Sequence, residues 1–461
     1  MSSRSHARAR HVVVLGAGFA GLAFCRYFRA PATRITWIDH RNYHLFQPLL
    51  YQVATGWLSA SDITHPVRSL VRGRDDIQVV LTQVTSVDPA RRRVATTDGV
   101  YDYDYLVVAL GGVPNYFGHP EWEACAPGLK TLEDALRVRT QLLMAFERAE
   151  NRAGGHHAGC RLTFTVVGGG PTGVELAGAL AELTRRVLNR EFRRIEPART
   201  RVILLEAGQR ILPGFPSRLA AWAATRLSAM GVEVRTGTRV IHVAPGELHL
   251  ADGERIETDA ILWAAGVVAH PLARQLGEST DAQGRVRVRP DLSLPRYPEV
   301  FVLGDMARAE DEAGHVAPPL APAALQMGRH VARLLQAELR GRTGSPRGRA
   351  PFRYRDPGCM VTLGRGKAVA RWRNWELTGR PAWLAWLFVH LMKLVGFRNR
   401  AAVFVQWAWA YGMDRPGARI IYGHPAAAVI PTQNATGGPS GGSRPPSTGQ
   451  QKYFHPPRSC T

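Results

Sequence analysis

The chain has 461 residues, 45% hydrophobic and 21% charged, the balance of an ordinary globular protein, which excludes a disordered or fibrous one. At roughly 150 residues per domain the length allows about three domains and a core large enough to stand without disulfides. The formal charge is +22, with Lys+Arg 59 against Asp+Glu 37, and only Lys130, Lys367, Lys393 and Lys452 among the cations are lysine. This arginine bias leaves three readings open: genome composition, an anionic membrane surface and, last, nucleic acid. The cysteines (Cys25, Cys125, Cys160, Cys359, Cys460) are odd in number and scattered. No C-x-x-C pair occurs, which excludes a zinc ribbon or a contiguous redox disulfide and suits a reducing compartment.

In chain order, basic residues up to Arg10 precede the apolar run His11 to Leu15. The run is too short for a signal peptide and predicts a first core strand in a cytoplasmic protein. It leads into Gly16-x-Gly18-x-x-Gly21 and then Arg34 to Asp39, with Tyr105 to Gly112 closing the unit much later. A second copy starts at Leu162 to Val167, followed by Gly168-x-Gly170-x-x-Gly173, Arg201 to Glu206, and Thr258 to Gly266. From first motif glycine to closing glycine is 95 residues (Gly16 to Gly111) in one copy and 98 (Gly168 to Gly266) in the other. Alternating segments (Gln78 to Val87 and Arg93 to Thr97; Glu233 to Val243 and Glu247 to Leu250) predict a small antiparallel meander in each copy. Thr131 to Ala149 predicts a helix entering the second unit. Asn151 to Gly159 reads as a loop, and its His156-His157 pair has no partner ligands, so no metal site is expected. Later come the strand Glu299 to Asp305, a linker at Gly341 to Ala350 and a disordered tail from Gln433 to Thr461.

Each glycine turn has a physical logic. The first glycine permits the tight turn, the second lets backbone approach a pyrophosphate, and the third permits close helix–strand packing. N–H groups at the helix start then face the phosphates. The acid closing the next strand accepts hydrogen bonds from a ribose diol. Asp39 lies 18 residues beyond Gly21, and Glu206 lies 33 beyond Gly173 because an arginine-rich stretch (Arg185 to Arg201) lengthens that helix and loop. An acid at this place repels a 2′-phosphate, so NADH is expected over NADPH, with nearby Arg210 the one counter-argument. One such glycine turn is weak evidence; two, each with an apolar strand before and an acid-tipped strand after, are strong. The expected fold class is α/β, with two Rossmann-like dinucleotide-binding domains.

The chain at this point resembles a type II NADH dehydrogenase, the single-subunit, non-proton-pumping NADH:quinone oxidoreductase among the two-dinucleotide-fold flavoproteins. The segments that carry the likeness are Val14 to Leu22, Asn42-Tyr-His-Leu-Phe-Gln-Pro-Leu-Leu-Tyr-Gln-Val-Ala-Thr-Gly56, Asp104 to Gly111, Val167-Gly-Gly-Gly-Pro-Thr-Gly-Val-Glu-Leu-Ala177, Leu262 to Val267, Val302 to Met306 and Gly396-Phe-Arg-Asn-Arg400. They run in family order over about residues 10 to 420. The resemblance implies non-covalent FAD in the first unit, with Gly16, Ala17, Gly18, Phe19, Ala20 and Gly21 at its pyrophosphate and Asp39 with His40 at the adenosine ribose. It places Val84 at the adenine through backbone, and Gly111, Asp305 and Ala321 along the rest of the flavin. NADH then belongs to the second unit, at Gly168, Gly170, Gly173, Glu206 and Gly266. The division implied is 10–130 and 281–345 for FAD, 131–280 inserted between them for NADH, 346–430 as a C-terminal membrane-associating helical region, and 431–461 as the tail.

By the same resemblance NADH reduces the flavin and the flavin reduces a membrane quinone, with ping-pong behaviour expected and a ternary complex allowed by separate sites. Glu175 is implied in proton handling at the quinone side; the alternative is an acid that merely stabilises a helix N-terminus. Pro318 to Gln326 predicts a proline-started helix. The family's first glutamine is missing there, and Gln326 is either a quinone-pocket residue or an exposed helix residue. Pro381 to Phe397 is apolar but interrupted by His390 and Lys393, too short for a confident span. With Trp383, Trp386, Trp407, Trp409, Tyr411 and flanking arginines it suits shallow burial at the cytoplasmic face of the cell membrane; the alternative is a helix on the protein's own core. Deletion from about 381 onward is expected to leave soluble protein that still oxidises NADH. A homodimer is allowed, and nucleic acid is not an expected partner. Two rivals are a sulfide:quinone oxidoreductase, which needs a flavin-proximal cysteine pair, and a redox-switched basic flavoprotein that binds nucleic acid, for which no motif exists.

Overall fold

The computed structural model describes residues 9–153, 161–311, 314–341, 348–413 and 417–421, all within one compact unit that extends to Gly423. The His156-His157 pair, Cys160, Arg415, most of the predicted linker and the whole 431–461 tail lie outside the described residues.

Along the chain the elements that position the site are β1 (Arg10–Leu15), α1 (Phe19–Tyr27), β2 (Thr33–Asp39), α2 (Leu50–Ala54), β3 (Ile77–Leu81) and β4 (Tyr105–Val108). The second unit holds α3 (Leu132–Arg152), β5 (Thr163–Val167), α4 (Pro171–Glu182), β6 (Arg201–Leu205), β7 (Val232–Arg235) and β8 (Ala260–Trp263). Then follow β9 (Val300–Val302), α5 (Ala321–Leu339), β10 (Cys359–Gly364), β11 (Lys367–Trp372), β12 (Trp375–Thr378), α6 (Gly379–Lys393) and α7 (Phe397–Met413).

The first sheet is parallel in the order β9-β4-β1-β2-β3, and the second is parallel in the order β7-β6-β5-β8. Sheets covered on both faces need strands apolar throughout, and Val12, Val13, Val14 and Leu15 of β1 are all fully buried, as are Phe164 and Val166 of β5. β9 rejoins the first sheet after the second unit is complete, so the second unit is an insertion. A short antiparallel pair, Gly112–Pro114 on Val267–Ala269, ties the two together. α3 begins at a capping box in which Thr131 and Asp134 each bond the other's backbone N–H, a start signal of Ser/Thr followed by an acid three residues on.

Two expectations need correction. Gln78 to Val87 and Glu233 to Val243 are not single meander strands: β3 and β7 extend the parallel sheets, and only Val84–Asp88 and Val240–Ala244 turn into the meanders. Apolar alternation cannot separate the two because the break between β3 and Val84 is only Thr82-Gln83. The region 346–430 is not wholly helical either, since β10, β11 and β12 form an antiparallel sheet ahead of the helix pair. α6 and α7 have two faces. Trp386, Leu394, Val403, Trp407 and Ala410 pack into the core with Phe46, Tyr51 and Leu180, whereas Leu384, Phe388, Met392, Phe397, Phe404, Val405, Trp409 and Met413 are exposed. Deletion from 381 would therefore open the core rather than shed an appendage. Among the described residues no helix is long and apolar enough to cross a membrane.

Candidate active site

β1 delivers the chain to Gly16, whose φ of +98° and whose missing Cβ, 2.3 Å from the Ala109 oxygen had it been present, leave glycine as the residue that fits. Gly168 repeats this in the second unit at φ +109°, with Ala264 in the place of Ala109. The second glycines differ in kind. Gly18 and Gly170 have nothing within 4 Å of where a Cβ would stand, and each caps the start of its helix, α1 or α4. Free space beside unpaired helix N–H groups is a phosphate cradle.

The two acids fold back on these turns in the same way. Asp39 Oδ2 accepts the Ala17 N–H at 2.6 Å and Oδ1 the Arg41 N–H at 2.7 Å. Glu206 Oε2 accepts the Gly169 N–H at 2.6 Å and Oε1 the Gly208 N–H at 2.7 Å. Each carboxylate thus clamps its glycine turn while keeping lone pairs for a ribose. His40 lies 3.4 Å from Asp39. Arg210, the argument for NADPH, is committed elsewhere: its guanidinium donates to the carbonyls of Phe215 (2.9 Å) and Pro213 (2.8 Å).

A cleft of about 440 Å³ gathers most of the expected flavin residues: Gly16 to Ala20, Asp39, His40, Gly111, Asp305 and Ala321. Gly21 lies beneath its floor, packed on the Gly16 carbonyl. Val84 starts the meander strand just past Thr82, whose N–H bonds the Asp39 carbonyl at 3.0 Å, and does not line the cleft. Asp305 receives the Lys130 ammonium at 3.2 Å, both side chains mostly buried. Lys130 escaped the sequence reading, although it is one of four lysines and directly precedes the α3 capping box. The donor set fits a dinucleotide flavin: a phosphate cradle, a ribose acid and a mostly buried charged pair along one cleft. The second unit's Gly168, Gly170, Gly173, Glu206 and Gly266 lie outside this cleft; Thr172 and Glu175 of α4 reach into it.

Glu175 stands against Tyr51 and the C-terminal region. Burial pushes its carboxyl up to about 8, while the Thr362 backbone and the nearby Trp386 indole favour the ionised form. His390 stacks on Trp386 at 4.2 Å, and burial brings its imidazole down to about 4 against the pull of the Trp386 carbonyl. Gln326 does not line the cleft either, and its amide is used at both ends by the Arg355 backbone, at 2.8 and 2.9 Å.

Residues 10–328 match the pyridine nucleotide-disulphide oxidoreductase family. Over 422 residues the chain is 41% identical to the type II NADH:quinone oxidoreductase Ndh of Mycobacterium tuberculosis, covering 89% of this chain and 90% of that one. The chain belongs to this family, among its type II NADH:quinone oxidoreductases. The type II NADH:quinone oxidoreductase of Staphylococcus haemolyticus is 30% identical, covering 81% of this chain and 92% of that one. NDH2 from Plasmodium falciparum, solved in complex with NADH, shares the fold with a TM-score of 0.80 at 19% identity, covering 89% and 99% of the two chains. The sulfide:quinone oxidoreductase of Aquifex aeolicus also shares the fold, at a TM-score of 0.68 and 19% identity, covering 88% and 96%. Its chemistry is not favoured for a type II chain whose described cysteines, Cys25, Cys125 and Cys359, are all free and stand outside the cleft.

Proposed function

We propose that the chain oxidises NADH with FAD held non-covalently in the first unit and passes the electrons to a membrane quinone, without pumping protons. The observation that carries this reading is the asymmetry of the two glycine turns, one lining the cleft and one outside it, with Thr172 and Glu175 of the second unit's α4 reaching in. Residues 10–130 with 281–345 serve the flavin, and 131–280 the nicotinamide nucleotide. When bound, the flavin supplies the two-electron redox chemistry that no side chain here carries.

The chain's own residues bind, orient and move protons. The α1 N-terminus and Gly18 hold the FAD pyrophosphate, and Asp39 with His40 the adenosine ribose. Asp305, kept in place by Lys130, faces the ribityl end, and Ala321 at the start of α5 the ring, with Gly111 beside it. The α4 N-terminus at Gly170 holds the NADH pyrophosphate, Glu206 its adenosine ribose, and Gly266 its path toward the ring. Glu175, uncharged at neutral pH, gives a proton to the reduced quinone's oxygen.

The exposed apolar residues recur at helical spacing: Leu384, Phe388 and Met392 on α6, and on α7 Phe397 with Phe404 and the row Val405, Trp409 and Met413. Exposed Arg373, Arg380, Lys393 and Arg398 border them. A shallow apolar face rimmed by cations suits the anionic headgroups of a cytoplasmic leaflet, where a water-insoluble quinone is found. The test is oxidation of NADH and NADPH with a short-chain quinone: NADH turnover that requires FAD supports the reading, and its absence in yellow, folded protein overturns it.

A further inference from the structure

Two blocks that carry the family likeness, Asn42 to Gly56 and Gly396 to Arg400, hold residues to which the reading above gives no task. His44 is the first of them. Tyr43 and Leu45 line the cleft, and strand alternation sends His44 between them to the other face. There it is 1% exposed and meets the Phe19 ring edge-on, at 5.2 Å between centroids. Its Nδ1 stands 2.8 Å from the Ala17 carbonyl oxygen. Burial lowers the pKa of the ring, so it is neutral and has one N–H. A carbonyl can only accept, which places that hydrogen on Nδ1 and leaves Nε2 a bare acceptor. Nε2 is buried and has no partner among the described residues. An unmet buried acceptor costs free energy, so the polar contact of this ring is made through Nδ1 alone.

That bond acts on the first glycine turn. Ala17 stands between Gly16 and Gly18, and Asp39 already holds its N–H at 2.6 Å. With its carbonyl held by His44, the peptide groups on both sides of Ala17 are fixed. The N–H of a trans peptide lies opposite its carbonyl, so anchoring the Ala17 oxygen sets the direction of the Gly18 N–H. Gly18 caps α1, where the N–H groups have no acceptor within the helix. The second unit achieves the same hold with other atoms. Gly169, between Gly168 and Gly170, donates its N–H to Glu206 at 2.6 Å, and its carbonyl accepts the Leu212 N–H at 2.7 Å. One turn is held by main chain and the other by an imidazole.

The second block keeps that imidazole in place. The strand Tyr43–Leu45 pairs antiparallel with Thr64–Pro66, His44 opposite His65. Asn399, 6% exposed, donates through Nδ2 to the Thr64 carbonyl at 2.8 Å. Gly396 lies so close that a Cβ there would stand 3.0 Å from His65 Nε2. The bend between α6 and α7 thus seats the strand pair, and the strand pair seats His44.

We propose that His44 is a positioning residue for the flavin: through the Ala17 carbonyl it aims the Gly18 N–H at the FAD pyrophosphate. The inference rests on the assignment of FAD to the first unit. Loss of the Nδ1 hydrogen lets the Ala17 peptide rotate and takes the donor with it, while the second unit's turn, held by Leu212, is unaffected.

The test follows FAD release from the full-length holoenzyme as the rise of flavin fluorescence on dilution. Asparagine can place its amide N–H where Nδ1 stands; glutamine places it where Nε2 stands. H44N should release FAD at close to the parental rate, and H44Q and H44L about tenfold or more faster. In samples kept saturated with FAD, KM for NADH should stay parental in every variant. Parental release in H44Q and H44L, release from H44N as fast as from H44L, or a KM for NADH that rises in step with FAD release would overturn the assignment. If H44L does not fold, as judged by circular dichroism, the contrast of H44N with H44Q decides. A parent enzyme that carries no FAD would overturn the reading of the first unit instead.

Discussion

The two dinucleotide units are built to one plan and differ in where their glycine turns stand relative to the cleft. Both have a left-handed first glycine against a neighbouring strand end, an open second glycine and an acid that clamps the turn through two backbone N–H groups. In the first unit this apparatus lies inside the cleft, which β9 and α5 help to close on returning from the insertion. In the second it lies outside, although local exposure is alike in the two: Gly18 and His40 are exposed, as are Ala207 to Arg210. On the proposed reading the same recognition chemistry would serve a retained cofactor in one place and an exchanging co-substrate in the other. Position relative to the cleft, rather than motif, separates the two proposed roles.

The sharpest way to break this comparison is to fill the two open glycines in turn. G18V should fold, as judged by circular dichroism, yet purify colourless, because the side chain occupies the FAD phosphate cradle. G170V should purify yellow with KM for NADH raised about tenfold or more, which corresponds to about 1.4 kcal/mol of lost binding. Equal loss of flavin in both would make the units equivalent and the comparison wrong.

Next in size is Glu175. E175Q should retain FAD but reduce quinone about tenfold to a hundredfold more slowly. The pH profile has a definite sign. A carboxyl raised to about 8 is protonated and able to donate below that pH, so the parental quinone rate should fall as pH rises through about 8, and E175Q should lack that limb. A third effect is smaller: E206A leaves the Gly169 and Gly208 N–H groups without their acceptor. KM for NADH should rise several-fold while that for NADPH changes less, narrowing the preference; a widened preference would contradict the role given to Glu206. The mildest change concerns the surface. Replacing Leu384, Phe388, Phe404 and Trp409 by serine should cut co-sedimentation with anionic lipid vesicles several-fold at unchanged circular dichroism, each residue being more than half exposed. Undiminished sedimentation would assign vesicle binding to another surface.

The sequence shows much of the scaffold because local rules dictate it. An all-apolar strand, a glycine that alone tolerates the turn and an acid at the next strand end are legible at Gly16 to Asp39 and again at Gly168 to Glu206. The capping box at Thr131 shows where α3 starts. What escapes depends on distant partners. Lys130 reads as one of many cations until the fold brings it to Asp305, 175 residues away. Arg210 looks available for a phosphate until its guanidinium is seen to serve two nearby carbonyls. Gln326 looks like a pocket residue, but the Arg355 backbone takes both ends of its amide. The C-terminal helices likewise carry apolar residues all round, and periodicity cannot say which of them, Trp386 or Phe388, the core takes and which it leaves outside.

Everything proposed for this chain requires a flavin that NADH can reduce and quinone can reoxidise. The measurement is the visible spectrum of purified full-length protein without oxygen, first after NADH and then after a short-chain quinone. The expected result is a yellow protein that releases FAD in equimolar amount on denaturation, bleaches on the first addition and recovers its colour on the second. Folded protein that is colourless, or yellow protein that NADH does not bleach, would contradict it.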